Sequence, residues 1–105
     1  MDNKKKLFVN PITESQNLPP EKLQGIIHLF TQGNFQQALV EITSTLETFP
    51  HAALLHNIAG ACHAGLMQFD LAIANYSRAL TIDPNYAKAH SNMVIALNAK
   101  GEFKV

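Results

Sequence analysis

Apolar side chains recur at three- and four-residue spacing along most of this chain, which is the spacing of one face of an α-helix. The pattern predicts five helices, over about 21–31, 36–48, 52–66, 69–82 and 86–99. It is interrupted by residues that favour turns or end helices, at Gly33-Asn34, Phe49-Pro50, Met67-Gln68 and Asp83-Pro84-Asn85. We therefore predict an all-α fold of about five helices joined by short turns.

The chain also repeats itself at a period of 34 residues. Phe35, Phe69 and Phe103 are spaced by this period, and so are Pro50 and Pro84. Gly33 and Gly101 precede the outer phenylalanines by two residues, and Met67 stands in the equivalent place between them. Further pairs at the same separation are Ala38 and Ala72, Leu46 and Leu80, and His56 and His90. So many agreements at one period indicate an internal repeat.

The repeat divides the chain into a tail, 1–18, and a repeat domain, 19–105. The domain comprises repeat 1 (19–52), repeat 2 (53–86) and a partial repeat 3 (87–105). Pro19-Pro20 predicts the start of the first helix, because proline suits a first helical turn. Gly101-Glu102-Phe103 matches the earlier turns, so the second helix of repeat 3 has barely begun at Val105. We expect the natural protein to continue. Otherwise self-association or the tail should cap an edge at which three residues are under-covered, namely Val94, Leu97 and Phe103.

The tail is expected to be partly disordered, and it begins with Lys4-Lys5-Lys6. The apolar run that follows, Leu7-Phe8-Val9, stops at Asn10-Pro11 and is too short for a signal peptide. Apolar residues are nevertheless unusual in a tail. An alternative therefore stays open, in which these three residues and Ile12 pack along a groove or a helix end.

The repeats resemble the tetratricopeptide repeat, whose period is 34 residues. The segment NYAKAHSNMVIALNAKGEFKV is similar to the arrays attached to O-linked N-acetylglucosamine transferases, and to bacterial arrays fused to sulfotransferases. The resemblance implies an α-solenoid, in which antiparallel helix pairs stack into a right-handed superhelix. It also implies that the first helix of each pair lines a concave groove, where the family usually binds peptide segments of partner proteins.

The amino-acid composition gives no support for binding to nucleic acid or membranes. The 105 residues are 47% apolar and 15% charged, with a formal net charge of zero. Long-range attraction to nucleic acid or to an anionic membrane therefore has no support, and no stretch approaches the length of a membrane span. The chain has one cysteine, so no internal disulfide can form. We expect a cytoplasmic protein.

Two histidines and the cysteine first suggest a zinc site. His56 and His63 share a helical face, and Cys62 is next to His63 in sequence. The family packs aromatic side chains at these repeat positions, and no metal-binding spacing of cysteine or histidine is present. We predict packing roles for the histidines, a small buried Cys62, and no metal or other cofactor. No phosphate-binding loop or nucleophile with an orienting pair is found, so we expect no enzymatic activity.

The resemblance places the groove on the first helices of the repeats. The predicted peptide-binding residues are Leu54, Asn57, Ile58, Ala61, Lys88, Ser91, Asn92 and Ile95, with Leu23, Ile27 and Phe30 lining repeat 1. Asn92 holds the position of the asparagine ladder in transferase-type arrays, where an amide can bond to a peptide backbone. Lys88 matches the carboxylate clamp of chaperone-binding members, but Leu23 and Ile27 do not.

Two functions follow. The first is a protein-interaction module that binds a partner's peptide in the groove, as the N-terminal part of a larger bacterial protein. The second is a small structural adaptor that homo-oligomerises through its groove or its unfinished C-terminal edge. In a further alternative, residues 7–18 or another subunit cover the groove.

Overall fold

A computed structural model describes residues 11–103, and every described element is an α-helix. The six helices are α1 (Pro11–Gln16), α2 (Pro20–Thr31), α3 (Phe35–Thr48), α4 (Ala53–Gly65), α5 (Phe69–Ile82) and α6 (Ala87–Phe103). Each of the helices α2 to α5 packs against the next one along the chain. The prediction of an all-α helical solenoid is confirmed, and helices α2 to α5 follow the predicted bounds closely.

Helix α1 was not predicted, because its six residues are too few to show a periodic apolar face. It packs against α4, which follows it by more than thirty residues in sequence. The predictions for Lys4-Lys5-Lys6 and for Leu7-Phe8-Val9 lie outside the described residues, as does the side chain of Ile12. Leu18, two residues after the end of α1, is buried.

Helices α2 and α4 end in the same way, one repeat apart. Gly33 has φ +79° and Met67 has φ +61°, so both lie in the left-handed region. The amide of Asn34 donates to the carbonyl of Leu29, and the amide of Gln68 donates to the carbonyl of His63. This is the Schellman motif, which satisfies the last carbonyls of a helix and reverses the chain direction. Met67 therefore adopts a conformation that glycine supplies without steric cost.

The prediction of a third such turn at Gly101-Glu102-Phe103 is wrong, because helix α6 continues through Phe103. The first two turns are followed by a helix that packs back on the preceding one. Among the described residues no helix follows α6. Gly101 and Glu102 lie within α6, so these turn-type residues do not by themselves end the helix.

The core consists of small and medium side chains between successive helices. Its largest cluster joins α2, α3 and α4 and contains the buried residues Leu18, Ile26, Ala38, Ile42, Ala52, Leu55, Ala59 and Cys62. Two smaller clusters join α4 and α5 to the start and the middle of α6, around Ala79 and Tyr76 respectively. Buried Thr45, which stands where repeat 2 has Ala79, donates its hydroxyl hydrogen to the Glu41 carbonyl at 2.8 Å. That bond explains how a polar side chain is accommodated there.

Candidate functional site

The first helices of the repeats, α2, α4 and α6, carry an apolar row at equivalent positions. Ile27, Ala61 and Ile95 are each one repeat apart, on α2, α4 and α6. Ile27 is 42% exposed and Ile95 is 65% exposed, whereas Ala61 is half-buried. Large apolar side chains this open to solvent offer contact area to a partner.

Beside this row, two amides are joined across neighbouring first helices. Asn92 Nδ2 on α6 donates to Asn57 Oδ1 on α4 at 3.1 Å. Asn57 Nδ2 in turn donates to the hydroxyl oxygen of Tyr86 at 3.4 Å. Asn57 is only 5% exposed, so the structure places it beneath the surface as the support of Asn92. Asn92 itself is half-buried at the surface, with one amide hydrogen and its carbonyl oxygen unpartnered among the described residues.

The other predicted groove residues differ in exposure. Leu54 and Ile58 are half-buried and pack against the largest core cluster, so they serve both the core and the surface. Lys88 and Ser91 are exposed on α6. In repeat 1, Leu23 and Phe30 also pack on that cluster. The surface is therefore apolar over α2 and α4 and becomes more polar at α6.

Comparison with known proteins agrees with this geometry. A family profile described as TPR repeat matches residues 68–101, a span of 34 residues that joins α5 to α6. The profile supports the resemblance to the tetratricopeptide repeat over residues 68–101. The chain is also 26% identical over 69 residues to small glutamine-rich tetratricopeptide repeat-containing protein 2 of Saccharomyces cerevisiae. That match covers 66% of this chain and 20% of the yeast protein, so the matched region spans about a fifth of its relative.

The equivalent histidines of repeats 2 and 3 make the same contact. His56 Nε2 lies 2.9 Å from the carbonyl oxygen of Pro50, and His90 Nε2 lies 2.9 Å from that of Pro84. Because a carbonyl only accepts, each ring carries its hydrogen on Nε2 and donates it. Each histidine thus ties a first helix to the turn before it. Burial lowers the pKa of His56, an effect that the Pro50 bond opposes and the positive charges of Arg78 and His51 reinforce.

The side chains considered for zinc are engaged in packing and hydrogen bonds. His63 Nδ1 lies 2.8 Å from Gln68 Oε1 across the turn after α4. Cys62 is fully buried, as expected, and burial raises the pKa of its thiol to about 11. In the part of the chain that the structure describes, no group of three metal-ligating side chains is found. No described helix is long and apolar enough to cross a bilayer.

The N-terminal end of α4 is bonded to α1, a contact that the sequence analysis missed. Glu14 Oε1 accepts a hydrogen bond from the amide of His51 at 2.8 Å, and Glu14 Oε2 lies 3.3 Å from His51 Nδ1. Ser15 Oγ accepts from the amide of Leu54 at 3.1 Å. Proline at position 11 and Glu14 in the same short segment are the sequence signal for a helix start. The partners, 37 and 39 residues away, are not visible in sequence.

Proposed function

We propose that this chain is a non-catalytic protein-interaction module, which binds an extended peptide segment of a partner protein across α2, α4 and α6. The observation that carries the proposal is the Asn57–Asn92 pair. Its fixed amide offers one donor and one acceptor to a peptide backbone, and the exposed Ile95 lies one helical turn further along α6. A side chain already held by a buried partner loses little freedom when it binds.

The remaining predicted residues would contact the peptide in different ways. Leu54, Ile58 and Ala61 provide apolar contact, and Ser91 adds a hydroxyl. Lys88 favours a partner peptide with a carboxylate near the α6 end. The single buried Cys62 fits a reducing compartment such as the cytoplasm.

A random peptide library displayed on phage and selected on the immobilised chain tests this proposal. For a selected peptide, Asn92→Ala should lower the affinity about 3- to 10-fold, the effect of one lost hydrogen bond. Asn75→Ala is the matched control, because its amide on α5 bonds only to the Leu71 carbonyl of its own helix. If peptides bind Asn92→Ala, Lys88→Ala and Ile95→Ala as tightly as the unchanged chain, the groove assignment is wrong.

A second candidate function rests on the outer face of α6. Val94 is 56% exposed and Leu97 is 49% exposed, and these residues lie three apart on one face. Val94 stands where repeat 2 has Gly60, which α5 covers with Tyr76. A structural adaptor could pair two copies through this face. Sedimentation equilibrium of the unchanged chain and of Leu97→Glu decides the question. A dimer that Leu97→Glu dissociates supports the adaptor, and a monomer at all concentrations overturns it.

A further inference from the structure

We propose that residues 11–16, helix α1, act as an internal competitor for the groove, docked at the N-terminal end of α4 and displaced when a partner peptide binds. This inference rests on the proposed function, because it concerns access to the same surface. It adds a means by which the chain restricts its own binding. The argument has three parts: what holds the segment, where it lies, and how readily it can leave.

The segment is held by hydrogen bonds from backbone amides at or just before the start of α4, which find no acceptor within α4. The residue before α4, Ala52, has no side-chain group that could cap the helix. Amides at a helix start need acceptors from elsewhere. Ser15 Oγ supplies one for the Leu54 amide, and the Glu14 carboxylate supplies another for the His51 amide just before the helix. The carboxylate is also favoured there by the helix dipole.

The segment lies beside the groove. Leu54, whose amide Ser15 binds, is the groove position equivalent to Lys88 in the next repeat. Leu18 follows the segment and is buried in the largest core cluster, together with Ala52, so it anchors the chain there. The segment therefore lies at the end of the groove that contains Leu54. The Asn92 end on α6 stays open.

The segment can leave at small cost to the repeats, because it consists of α1 alone and Leu18 stays in the core cluster. Helix α1 has six residues, too few for a helix that is stable by itself. Its principal packing partner among the described helices is α4. Half of the His51 side chain is exposed, so water can replace the Glu14 contact. A ligand that binds only the open form has an apparent affinity reduced by the fraction of molecules that are open.

Two substitutions in the full chain test the proposal, Glu14→Gln combined with Ser15→Ala. Gln16→Ala combined with Asn17→Ala is the matched control, because both of these side chains are exposed at the C-terminal end of α1. Amide hydrogen exchange should become several-fold faster at His51 and Leu54 in the first variant and stay unchanged in the control. Unchanged exchange in the first variant would mean that these bonds do not hold the segment, and would overturn the proposal.

Affinity provides the second measurement. A peptide selected from the phage library on the Glu14→Gln/Ser15→Ala variant should bind that variant about 3- to 10-fold more tightly than it binds the unchanged chain. Equal affinity for both, with sensitivity to Asn92→Ala, means that the groove binds peptides but has no internal competitor. If no selected peptide binds either protein, the proposed function itself fails and the competitor fails with it.

Discussion

Gly60 on α4 lies directly against the ring of Tyr76 on α5. A Cβ atom added at Gly60 would lie 2.6 Å from Cδ1 of that ring, closer than real contacts allow. Tyr76 is itself buried, so its ring has no open space into which it could turn. The helix pair of repeat 2 thus depends on the absence of a side chain at one position.

Gly60→Ala should therefore lower the free energy of unfolding by about 1–3 kcal/mol, the usual cost of overpacking. Gly25→Ala is the matched control, because a Cβ there meets nothing and alanine favours a helix by up to about 1 kcal/mol. Urea denaturation followed by circular dichroism measures both. A Gly60→Ala variant as stable as the unchanged chain would mean that the two helices can separate without cost.

Met67→Gly should stabilise the chain by up to about 1 kcal/mol, because Met67 holds a left-handed conformation that glycine adopts freely. The side chain is largely exposed, so little packing is lost. Gly33→Ala, the reverse change at the equivalent turn, should destabilise by a similar amount. Thermal unfolding of the two variants checks the opposite signs. Two shifts in the same direction would contradict the equivalence of the turns.

Cys62 should react slowly with a disulfide reagent such as DTNB at pH 8 while the protein is folded. The thiol is fully buried and its pKa is raised to about 11, so on the order of one molecule in a thousand carries the thiolate. Unfolding in guanidinium chloride should release the full reactivity at once, which serves as the internal control. Fast reaction of the folded protein would show that α4 opens readily.

Stability should fall as the pH is lowered below about 6.5, and part of this fall should come from His56. Burial lowers its pKa in the folded protein, so between that pKa and the ordinary one the unfolded chain binds the proton and is favoured. Above the ordinary pKa both forms are neutral and the contribution is constant. Melting temperatures from pH 7.5 to 5 should depend less on pH in His56→Gln. An unchanged pH dependence would exclude His56 as the source.

Much of the fold could be predicted because each repeat has a strong local pattern. The period of 34 and the turns at Gly33 and Met67 gave helices α2 to α5 nearly as they are found. The end of α6 was predicted wrongly, because the helix continues through Phe103. Helix α1 was missed because its six residues are too few to show a periodic apolar face and its partners His51 and Leu54 are distant in sequence.

The candidate site was predicted less completely. Asn92 was predicted from the resemblance to transferase-type arrays, and it lies at the surface with its amide fixed. Asn57 was predicted from the groove geometry that the resemblance implies, but it is buried as the support of Asn92. The two residues are 35 apart, one more than the period, so the bond between them follows from how α4 and α6 lie side by side.

The sequence by itself determined the repeat, its helices and most of its turns, because those depend on spacing, on proline and on glycine within one unit. Tertiary structure alone decided what depends on two units meeting. It placed Ser15 on an amide at the start of α4 and Glu14 on an amide just before that helix. At equivalent positions of the two repeats, the space between the paired helices is filled by Ile26 and Ile42 in repeat 1 and by Gly60 and Tyr76 in repeat 2. The physical reason is that packing constrains the combined volume of facing side chains, and the sequence does not show which residues face each other.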